Sequence, residues 1–281
     1  TIASVNNGWN DLGNIDLTRL DFVYSGGNIT FINAIELNGR LLINASVTPS
    51  TTYPSIASQV MASPESGFSI VTYTGVSGNQ SIGHGLNAKP KFILIKNRSN
   101  SADWFAMFDT GLAYYRHGYL NGPSQFYNAT DQSVSNTTIT LGNNSSMFGA
   151  VGDNYVAYCF APVAGYSAMG SYEGLGTAGG AFVYLGFRPA LLIVKDVDGT
   201  WDWYMYDTAR NTYNVVNNVL RPSGTNIEEG SATNNTFDFL SNGFKVRGAT
   251  SQSEPTNYSG HTYIYYAVAE NPFQANGGLA R

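Results

Sequence analysis

The sequence predicts an all-β fold made of two copies of one antiparallel β-sandwich-like unit, preceded by a β-hairpin segment. Short apolar stretches separated by turn residues recur about every ten residues, which is typical of sandwiches and barrels. No stretch repeats its apolar residues with the 3.6-residue period of a long helix. The chain of 281 residues also contains 19 Tyr and 15 Phe, residue types that favour strands.

Blocks of similar sequence that recur in the same order indicate the duplication. The block K-P-K-F-I-L-I-K-N at residues 89–97 resembles R-P-A-L-L-I-V-K-D at residues 188–196. Pro90 and Pro189 within these blocks lie 99 residues apart. A similarity held at a nearly constant offset indicates an internal duplication. We therefore expect the apolar centres of the two blocks to form equivalent buried strands.

Two further residue pairs follow the same spacing. Trp104 and Trp203 lie 99 residues apart, and we expect both to be core residues of equivalent strands. Asp109 and Asp207 lie 98 residues apart and are the best pair of acids in the chain. Facing carboxylates could hydrolyse a glycosidic bond. Copying of one structural Asp-Thr turn explains this pair without chemistry, so we expect no catalytic residues and no enzyme.

The duplication divides the chain into segments. Residues 1–50 lie outside it, and an Asn-Gly pair at residues 38–39 predicts a hairpin. We interpret this segment as the terminal strands of a preceding β-domain or as an assembly segment. Residues 51–66 are rich in Ser, Thr and Pro and are predicted to be a linker. Unit one then covers residues 67–164 and unit two, its duplicate, covers residues 165–281.

Strands are predicted where apolar and aromatic residues cluster between turn residues. In unit one they cover residues 68–74, 92–95, 104–108, 137–141 and 155–160. In unit two they cover residues 167–172, 182–185, 191–195, 203–206, 237–240, 244–246 and 263–269. The stretch at residues 114–136 is predicted to be mostly loop, and residues 211–220 fit a strand or a short helix equally well.

Composition excludes several functional classes. Charged residues make up only 12% of the chain and the net charge is −5, so we expect no nucleic-acid partner. No apolar stretch approaches the roughly 20 residues of a membrane helix, so we expect no membrane insertion. Cys159 is the only cysteine, which rules out an intramolecular disulfide. Its apolar neighbours indicate a buried thiol rather than a nucleophile.

Metal and cofactor motifs are scarce. The three histidines are scattered and lie in no zinc or nucleophile motif, so we expect no metal and no cofactor. Asp196, Asp198 and Asp202 surround Gly199 with the oxygen spacing of a small calcium loop. An ordinary Asp-Gly hairpin turn has the same chemistry. Both interpretations of this turn stay open at the level of sequence.

Four aromatic residues are candidates for ligand binding. Tyr114, Tyr115 and Tyr119 surround Arg116 in a loop-like stretch, and Trp201 lies in a turn with no counterpart in unit one. Aromatic residues in loops offer rigid faces to sugars or to protein surfaces. The alternative is that they complete the core of an all-β protein.

Several long blocks of the sequence carry a resemblance to a known family. They include G-F-S-I-V-T-Y-T-G, I-G-H-G-L-N-A-K-P-K-F-I-L-I-K-N-R-S, G-D-N-Y-V-A-Y-C-F-A-P-V-A-G-Y-S and F-D-F-L-S-N-G-F-K, within residues 55–273. They resemble the tandem β-domain of tail-fibre and other structural proteins of tailed bacteriophages, many of them phages of marine bacteria and cyanobacteria. A-I-E-L-N-G at residues 34–39 is similar to the last strands of the concanavalin- or laminin-G-like domain that often precedes it.

The resemblance implies a virion structural protein and brings no set of catalytic residues. We expect a tail fibre or receptor-binding protein that adheres to a bacterial surface glycan or protein. One alternative is a capsid or tail decoration protein that binds other virion proteins, and a second is a glycan depolymerase. Because phage fibres are usually trimers, we expect a homotrimer on the virion that acts outside the bacterial cell.

Overall fold

The computed structural model describes residues 34–37, 40–44, 54–142, 145–230, 235–248 and 255–272, with the backbone alone at 34–37, 40–44 and 145–146. The segment before residue 34, interpreted above as part of a preceding domain, lies outside the described residues. The described residues all belong to one compact unit. We refer below to residues 54–164 as repeat one and to residues 165–272 as repeat two.

Almost all regular structure is β, which confirms the predicted fold class. The strands up to residue 164 are β1 (Ala34–Leu37), β2 (Arg40–Asn44), β3 (Ser58–Ser63), β4 (Phe68–Thr74), β5 (Gln80–Gly83), β6 (Phe92–Asn97), β7 (Phe105–Phe108), β8 (Arg116–Tyr119), β9 (Tyr127–Asn128), β10 (Ser133–Val134), β11 (Thr138–Gly142) and β12 (Asn154–Phe160). Those of repeat two are β13 (Ser167–Glu173), β14 (Phe182–Tyr184), β15 (Pro189–Asp196), β16 (Trp203–Asp207), β17 (Thr236–Leu240), β18 (Gly243–Arg247) and β19 (Thr262–Ala269).

Helical structure is limited to two short segments in the described residues. A single 3₁₀ turn covers Pro64–Ser66, and the helix α1 covers Ser145–Phe148. Neither has the length and apolarity that would be needed to cross a membrane.

The two repeats share one strand order. In repeat one the large sheet has the order β3-β4-β12-β6-β7-β8-β9, and the small sheet has the order β10-β11-β5. In repeat two the large sheet has the order β13-β19-β15-β16, and the small sheet has the order β17-β18-β14. The run β4-β12-β6-β7 therefore matches β13-β19-β15-β16 strand for strand. All these pairs are antiparallel.

Three buried apolar clusters arrange the four sheets as layers. One cluster lies between the sheets of repeat one, and it receives Ile93 and Ile95 from β6. A second lies between the sheets of repeat two, and it receives Leu192 and Val194 from β15. The third lies between the two large sheets and contains Phe92 from β6, with Ile193 packed against it. Because successive side chains of a strand point to opposite faces, both large sheets are buried on both sides.

The corners that follow the equivalent strands β4 and β13 have the same hydrogen bonds in both repeats. The hydroxyl of Tyr73 donates to the carbonyl of Phe148 at 2.9 Å, and that of Tyr172 donates to the carbonyl of Thr256 at 2.8 Å. These equivalent bonds hold β4 and β13 against the segments that lead into β12 and β19. The duplication therefore extends from sequence to individual polar contacts.

Gly75 and Gly174 occupy these corners because the chain passes too close for a side chain. A Cβ atom at Gly75 would overlap the carbonyl oxygen of Ala150. A Cβ atom at Gly174 would overlap the carbonyl oxygen of Tyr258 in the same way. Glycine is the residue that permits such a close backbone approach.

The segment predicted as a linker, residues 51–66, contains strand β3, which pairs with β4 along its whole length. Val60 is buried and Ala62 packs against the core, whereas Gln59 and Met61 are exposed. This is the alternation of an edge strand with one buried face. The segment is rich in serine and proline, which is also typical of linkers, so its composition did not indicate a strand.

The predicted N-terminal hairpin is present. Strands β1 and β2 pair antiparallel, with Leu37 opposite Arg40. The Asn-Gly turn at residues 38–39 lies outside the described residues. Strand β2 lies next to β3 of repeat one without joining its sheet.

Candidate functional site

The structure separates the four aromatic residues that were predicted to bind a ligand. Tyr114 is exposed, whereas Tyr119 and Trp201 are half-buried and belong to different repeats. Tyr115 is buried, and its hydroxyl donates to the carbonyl of Pro90 at 2.6 Å. This corrects the expectation for Tyr115, which completes the core of repeat one.

The stretch predicted to be mostly loop contains two short strands that extend the large sheet of repeat one. Strand β8 pairs with β7 and carries His117, which lies directly opposite Tyr127 of strand β9. The His117 and Tyr127 rings have centroids 6.2 Å apart. Tyr119 lies two residues after His117 on the same strand and therefore on the same face. We call His117, Tyr119 and Tyr127 the edge cluster.

The edge cluster is aromatic, partly open and uncharged. Tyr127 is 55% exposed, which makes it the most accessible member of the cluster. Burial lowers the pKa of the His117 imidazole, so the ring is neutral at physiological pH. Its Nδ1 atom has no hydrogen-bond partner among the described residues. Burial, together with Asp103 and Tyr127, raises the pKa of the Tyr119 hydroxyl.

Sequence reasoning missed Tyr127, and the signal that could have found it is weak. Tyr115, His117 and Tyr119 alternate with the period of a strand, which would have placed the two latter residues on one face. The sequence around Tyr127 does not predict its pairing partner, because that partner depends on the conformation of the turn between β8 and β9.

In the turn with calcium-like spacing, the carboxylate of the first residue, Asp196, is already bound by protein groups. One carboxylate oxygen of Asp196 accepts hydrogen bonds from the backbone N–H groups of Asp198 and Gly199, at 2.9 and 2.8 Å. The other oxygen lies 2.8 Å from Nδ1 of His261. Asp196 is fully buried, so these contacts replace the water that its carboxylate would lose.

The remaining carboxylates of this turn point to separate partners. Asp198 forms an ion pair with Arg116 of repeat one at 3.0 Å. Asp202 accepts a hydrogen bond from the hydroxyl of Ser223 at 2.9 Å. In the part of the chain that the structure describes, no three His, Cys, Asp or Glu side chains are grouped so as to hold a metal ion. The geometry favours the structural interpretation of the turn.

The two aspartates of the candidate acid pair do not occupy equivalent positions in the two repeats, but positions that differ by one residue. The backbone N–H of Asp109 donates to the carbonyl of Lys91 at 2.8 Å, and the same bond in repeat two joins Thr208 to Ala190 at 2.9 Å. Asp109 therefore corresponds to Thr208, and Asp207 lies one residue earlier. The 98-residue offset reflects this shift, which corrects the equivalence inferred from sequence.

Each of these aspartates is also engaged by a different cation. Asp109 lies 3.4 Å from the Nζ atom of Lys89, and Asp207 lies 2.7 Å from the Nε atom of Arg210. The arginine contact and nearby backbone N–H groups lower the pKa of Asp207 against the opposing effect of burial. The carboxylate of Asp207 is therefore a poor proton donor at neutral pH.

The equivalent tryptophans differ in environment. Trp203 is only 2% exposed, and its indole N–H donates to the carbonyl of Tyr119 at 3.0 Å, which confirms its core position. Its ring also packs against Phe126 of repeat one, with centroids 5.9 Å apart. Trp104 is half-buried and lies beside Tyr158, so its predicted core position is wrong. The segment of repeat one that covers Trp203 explains the difference.

The same segment covers a charged residue. Lys195 is fully buried, and its Nζ atom donates to the carbonyls of Asp196, Pro123 and Gly199 at 2.6, 3.3 and 3.4 Å. Burial lowers the pKa of Lys195 to about 8. The equivalent Lys96 of repeat one is half-buried.

Two further reactive side chains, Cys159 and His84, are buried. Cys159 is fully buried, and burial raises the pKa of its thiol to about 12, which agrees with the predicted inert role. His84 is also buried, and burial lowers its pKa to about 4. Its Nε2 atom lies 3.2 Å from the carbonyl oxygen of Ser135.

Comparison with known proteins gives one result. No curated protein and no solved structure matches the chain significantly. The family described as "Domain of unknown function (DUF7483)" matches residues 42–272, which include both repeats and strand β3. The chain therefore belongs to this family of domains of unknown function.

Proposed function

We propose that the protein is a structural protein of a bacteriophage virion, a tail fibre or receptor-binding protein that adheres to a glycan on the bacterial surface. The observation that carries this proposal is the edge cluster, with its exposed Tyr127 ring beside a neutral His117. Aromatic rings pack against the apolar faces of sugar rings, and their polar tips bond to hydroxyl groups.

The scaffold supports binding at this position. The edge cluster lies on two short strands that end a seven-stranded sheet, so its side chains are held by backbone pairing rather than by a free loop. Rings that are already ordered lose little conformational entropy on binding. The low charge content of the chain also suits an uncharged ligand, because few ionic groups compete for contact with it.

The assembly is part of the same proposal. We propose that the protein acts as a homotrimer on the outside of the virion, with other virion proteins as further partners. Light scattering of the purified protein tests this directly. A mass three times that of the 30.3 kDa chain is expected, and a monomer would contradict the trimer.

A capsid or tail decoration protein is the second candidate, and one observation favours it. Phe182 and Tyr184 on strand β14 are 49% and 69% exposed. Apolar side chains that stand together on a surface often mark a protein–protein contact. Labelled protein on virions, located by electron microscopy, distinguishes a tail position from a capsid position.

The adhesion site is tested with matched tyrosine variants. Tyr127→Ala, alone and combined with Tyr119→Ala, should weaken adsorption of the purified protein to host cells by about tenfold or more. Tyr213→Ala is the control, because Tyr213 is even more exposed and lies in repeat two. Unchanged adsorption of the Tyr127 variants, with a melting temperature equal to that of the parent, would refute the site.

The depolymerase alternative is tested separately. Purified protein is incubated with host surface polysaccharide, and the release of reducing ends is followed. Adhesion without turnover leaves the polysaccharide intact. Release that disappears in Asp109→Asn or Asp207→Asn would show an enzyme and would overturn the proposal.

A further inference from the structure

One side of the sandwich is closed by the chain itself in repeat one. Strand β3 pairs with β4, from Ser63 opposite Phe68 to Ser58 opposite Tyr73. Just before β3, the chain also binds the small sheet. The N–H groups of residues 55 and 56 donate to the carbonyl of Ser81 in β5 at 3.0 and 3.2 Å. A single extended segment, residues 54–63, thus covers the edges of both sheets.

Repeat two has the same edges without this segment. Strand β13, equivalent to β4, pairs with β19 on one side, and strand β14, equivalent to β5, pairs with β18. At the start of β13 a short bridge joins Val163 to Ser167. Beyond that bridge, no strand among the described residues covers the outer edge of β13 or of β14.

The backbone groups that face this edge in β13 follow from its pairing with β19. Ala269 donates its N–H to the carbonyl of Tyr166, and the pairing continues in constant register. In an antiparallel ladder every second residue bonds to the neighbour, and the residues between direct N–H and C=O to the other side. Met169, Ser171 and Glu173 therefore present their N–H and C=O groups at the outer edge of β13.

Strand β14 presents its outer edge in the same way. Val246 donates its N–H to the carbonyl of Ala181, and Leu185 donates to the carbonyl of Asn242, so these residues bond to β18 and its turn. The alternate residues, Phe182 and Tyr184, direct their backbone groups outward. Phe182 thus matches Ser81 of repeat one, whose carbonyl binds residues 55 and 56.

The side chains at this edge differ between the repeats in a consistent manner. In repeat one the outward positions carry Ser81 and Gly83, and a Cβ atom at Gly83 would come 3.3 Å from the ring of Pro54. Small residues there make room for the chain's own segment. In repeat two the same positions carry Phe182 and Tyr184, which are 49% and 69% exposed.

We propose that repeat two receives an extended peptide strand from a partner protein along this side. The strand pairs antiparallel with β13 and passes over Phe182 and Tyr184, as residues 54–63 do over β4 and β5 within repeat one. Its backbone supplies hydrogen bonds to the open edge, and its apolar side chains cover the two rings. Addition of a strand to an exposed edge is a recurrent mode of peptide recognition.

The charge of the peptide follows from the neighbouring strand. Lys245 lies directly opposite Phe182 on one side and Asp238 on the other. Asp238 pairs with Arg247 at 2.6 Å, and Lys245 forms no ion pair within the described residues. Directly opposite residues of paired strands have Cβ atoms about 5 Å apart. A peptide residue beside Phe182 lies one strand further away, about 10 Å from Lys245. An acidic residue there comes within reach of the extended lysine side chain. The occupant is an extended segment with small or apolar residues and one carboxylate near its first residues.

A peptide explains these observations better than a glycan does. A glycan could stack on Phe182 and Tyr184, but it would leave the backbone groups of β13 uncovered. Long open edges are normally protected in soluble proteins, because they invite pairing with other chains. The edge of repeat two has both open backbone groups and apolar rings, whereas in repeat one residues 54–63 cover the corresponding backbone groups.

The probe is a synthetic peptide with the sequence of residues 54–63, P-S-I-A-S-Q-V-M-A-S, added to the full chain. A second peptide carries Asp at its second residue, the position of Ser55, which lies over the β5 residue equivalent to Phe182. Both should bind in a calorimetric or fluorescence-anisotropy titration, and the Asp peptide should bind about two- to fivefold more tightly. Lys245→Gln should abolish the advantage of the Asp peptide.

Hydrogen–deuterium exchange locates the bound peptide. Binding at the proposed edge protects residues 167–173 and 182–184. Glu173→Pro removes an outward N–H group of β13 and should weaken binding of both peptides by about tenfold. Tyr213→Ala should leave it unchanged. Each protein is first checked for an unchanged melting temperature, and Ser171→Pro replaces Glu173→Pro if that variant is unstable.

Three results would overturn the proposal. One is the absence of binding of either peptide, and another is protection confined to residues 68–74, which would mean exchange with β3 of repeat one. The third is binding of a host glycan, rather than a peptide, that protects residues 182–184 alone. None of these experiments depends on adsorption to host cells, so they are independent of the proposed adhesion site.

Discussion

Repeat one covers repeat two more completely than repeat two covers repeat one. The segment of repeat one around Pro123 and Phe126 lies over Lys195 and Trp203, whereas the equivalent Lys96 and Trp104 remain half-exposed. The two repeats therefore share a fold and differ in the environment of identical residues at identical positions. The same side chain can thus be tested in two settings within one molecule.

The tryptophan pair should give the largest difference. Trp203→Ala removes a buried ring and its hydrogen bond, and it should lower the free energy of unfolding by about 3–5 kcal/mol. Trp104→Ala removes a ring that already contacts water, so its loss should be about 1–2 kcal/mol. Denaturant unfolding of the two variants measures both values. Equal losses would show that the half-exposed position of Trp104 is energetically a core position.

The buried lysine should make stability depend on pH. The pKa of Lys195 is about 8 in the folded protein, below its ordinary value of 10.5. Between these values the unfolded chain binds more protons than the folded one, so stability rises as pH increases through this window. The full shift corresponds to about 3 kcal/mol, of which most should appear by pH 9.5.

Comparison of two variants isolates this effect. Lys195→Met should lose the rise in stability between pH 7 and 9.5, and Lys96→Met should keep it. Denaturant midpoints across this range give the slopes. A rise that persists in Lys195→Met would assign it to another group.

The glycine corner should respond equally in both repeats. Gly75→Ala and Gly174→Ala each force a side chain against a backbone carbonyl, at a cost of about 1–3 kcal/mol. Gly179→Ala is the control, because no atom lies near the position of its Cβ. Thermal melts compare the three. A clear difference between the first two variants would limit the structural equivalence of the repeats.

The smallest effect is expected at the turn with calcium-like spacing. In repeat one, Asn97 accepts hydrogen bonds from two backbone N–H groups of its turn, as Asp196 does in repeat two. An amide therefore satisfies this turn, and Asp196→Asn should cost only about 1 kcal/mol through its altered contact with His261. Unfolding titrations with and without added calcium measure the change. Stabilisation of the parent by calcium, absent in the variant, would revive the metal site.

Much of the fold could be predicted because apolar alternation and a repeated order of blocks constrain it strongly. The strands around Phe92 and Leu191 were found in this way. Strand β3 was missed since its serines fit a linker as well as an edge strand. The different fates of Trp104 and Trp203 could not be predicted, because they depend on where the segment around Phe126 lies in space.

Less of the candidate site could be predicted, since it depends on pairing between short strands. The sequence directed attention to Tyr119 and also to Tyr115, whose burial depends on which way its strand turns. Tyr127 became a candidate only when its position opposite His117 was known. The roles of Tyr114 and Trp201 in binding stay predictions.

Burial of both large sheets on two sides has a consequence for how the protein can be divided. Either repeat expressed alone would expose to water the face of its large sheet that now packs against the other repeat, including Phe92 or Trp203. We therefore expect the two halves to melt in a single calorimetric transition, and a half-length protein to aggregate or to associate with a copy of itself. On this expectation the duplicated units form one folding domain, because both halves contribute side chains to the apolar layer between them.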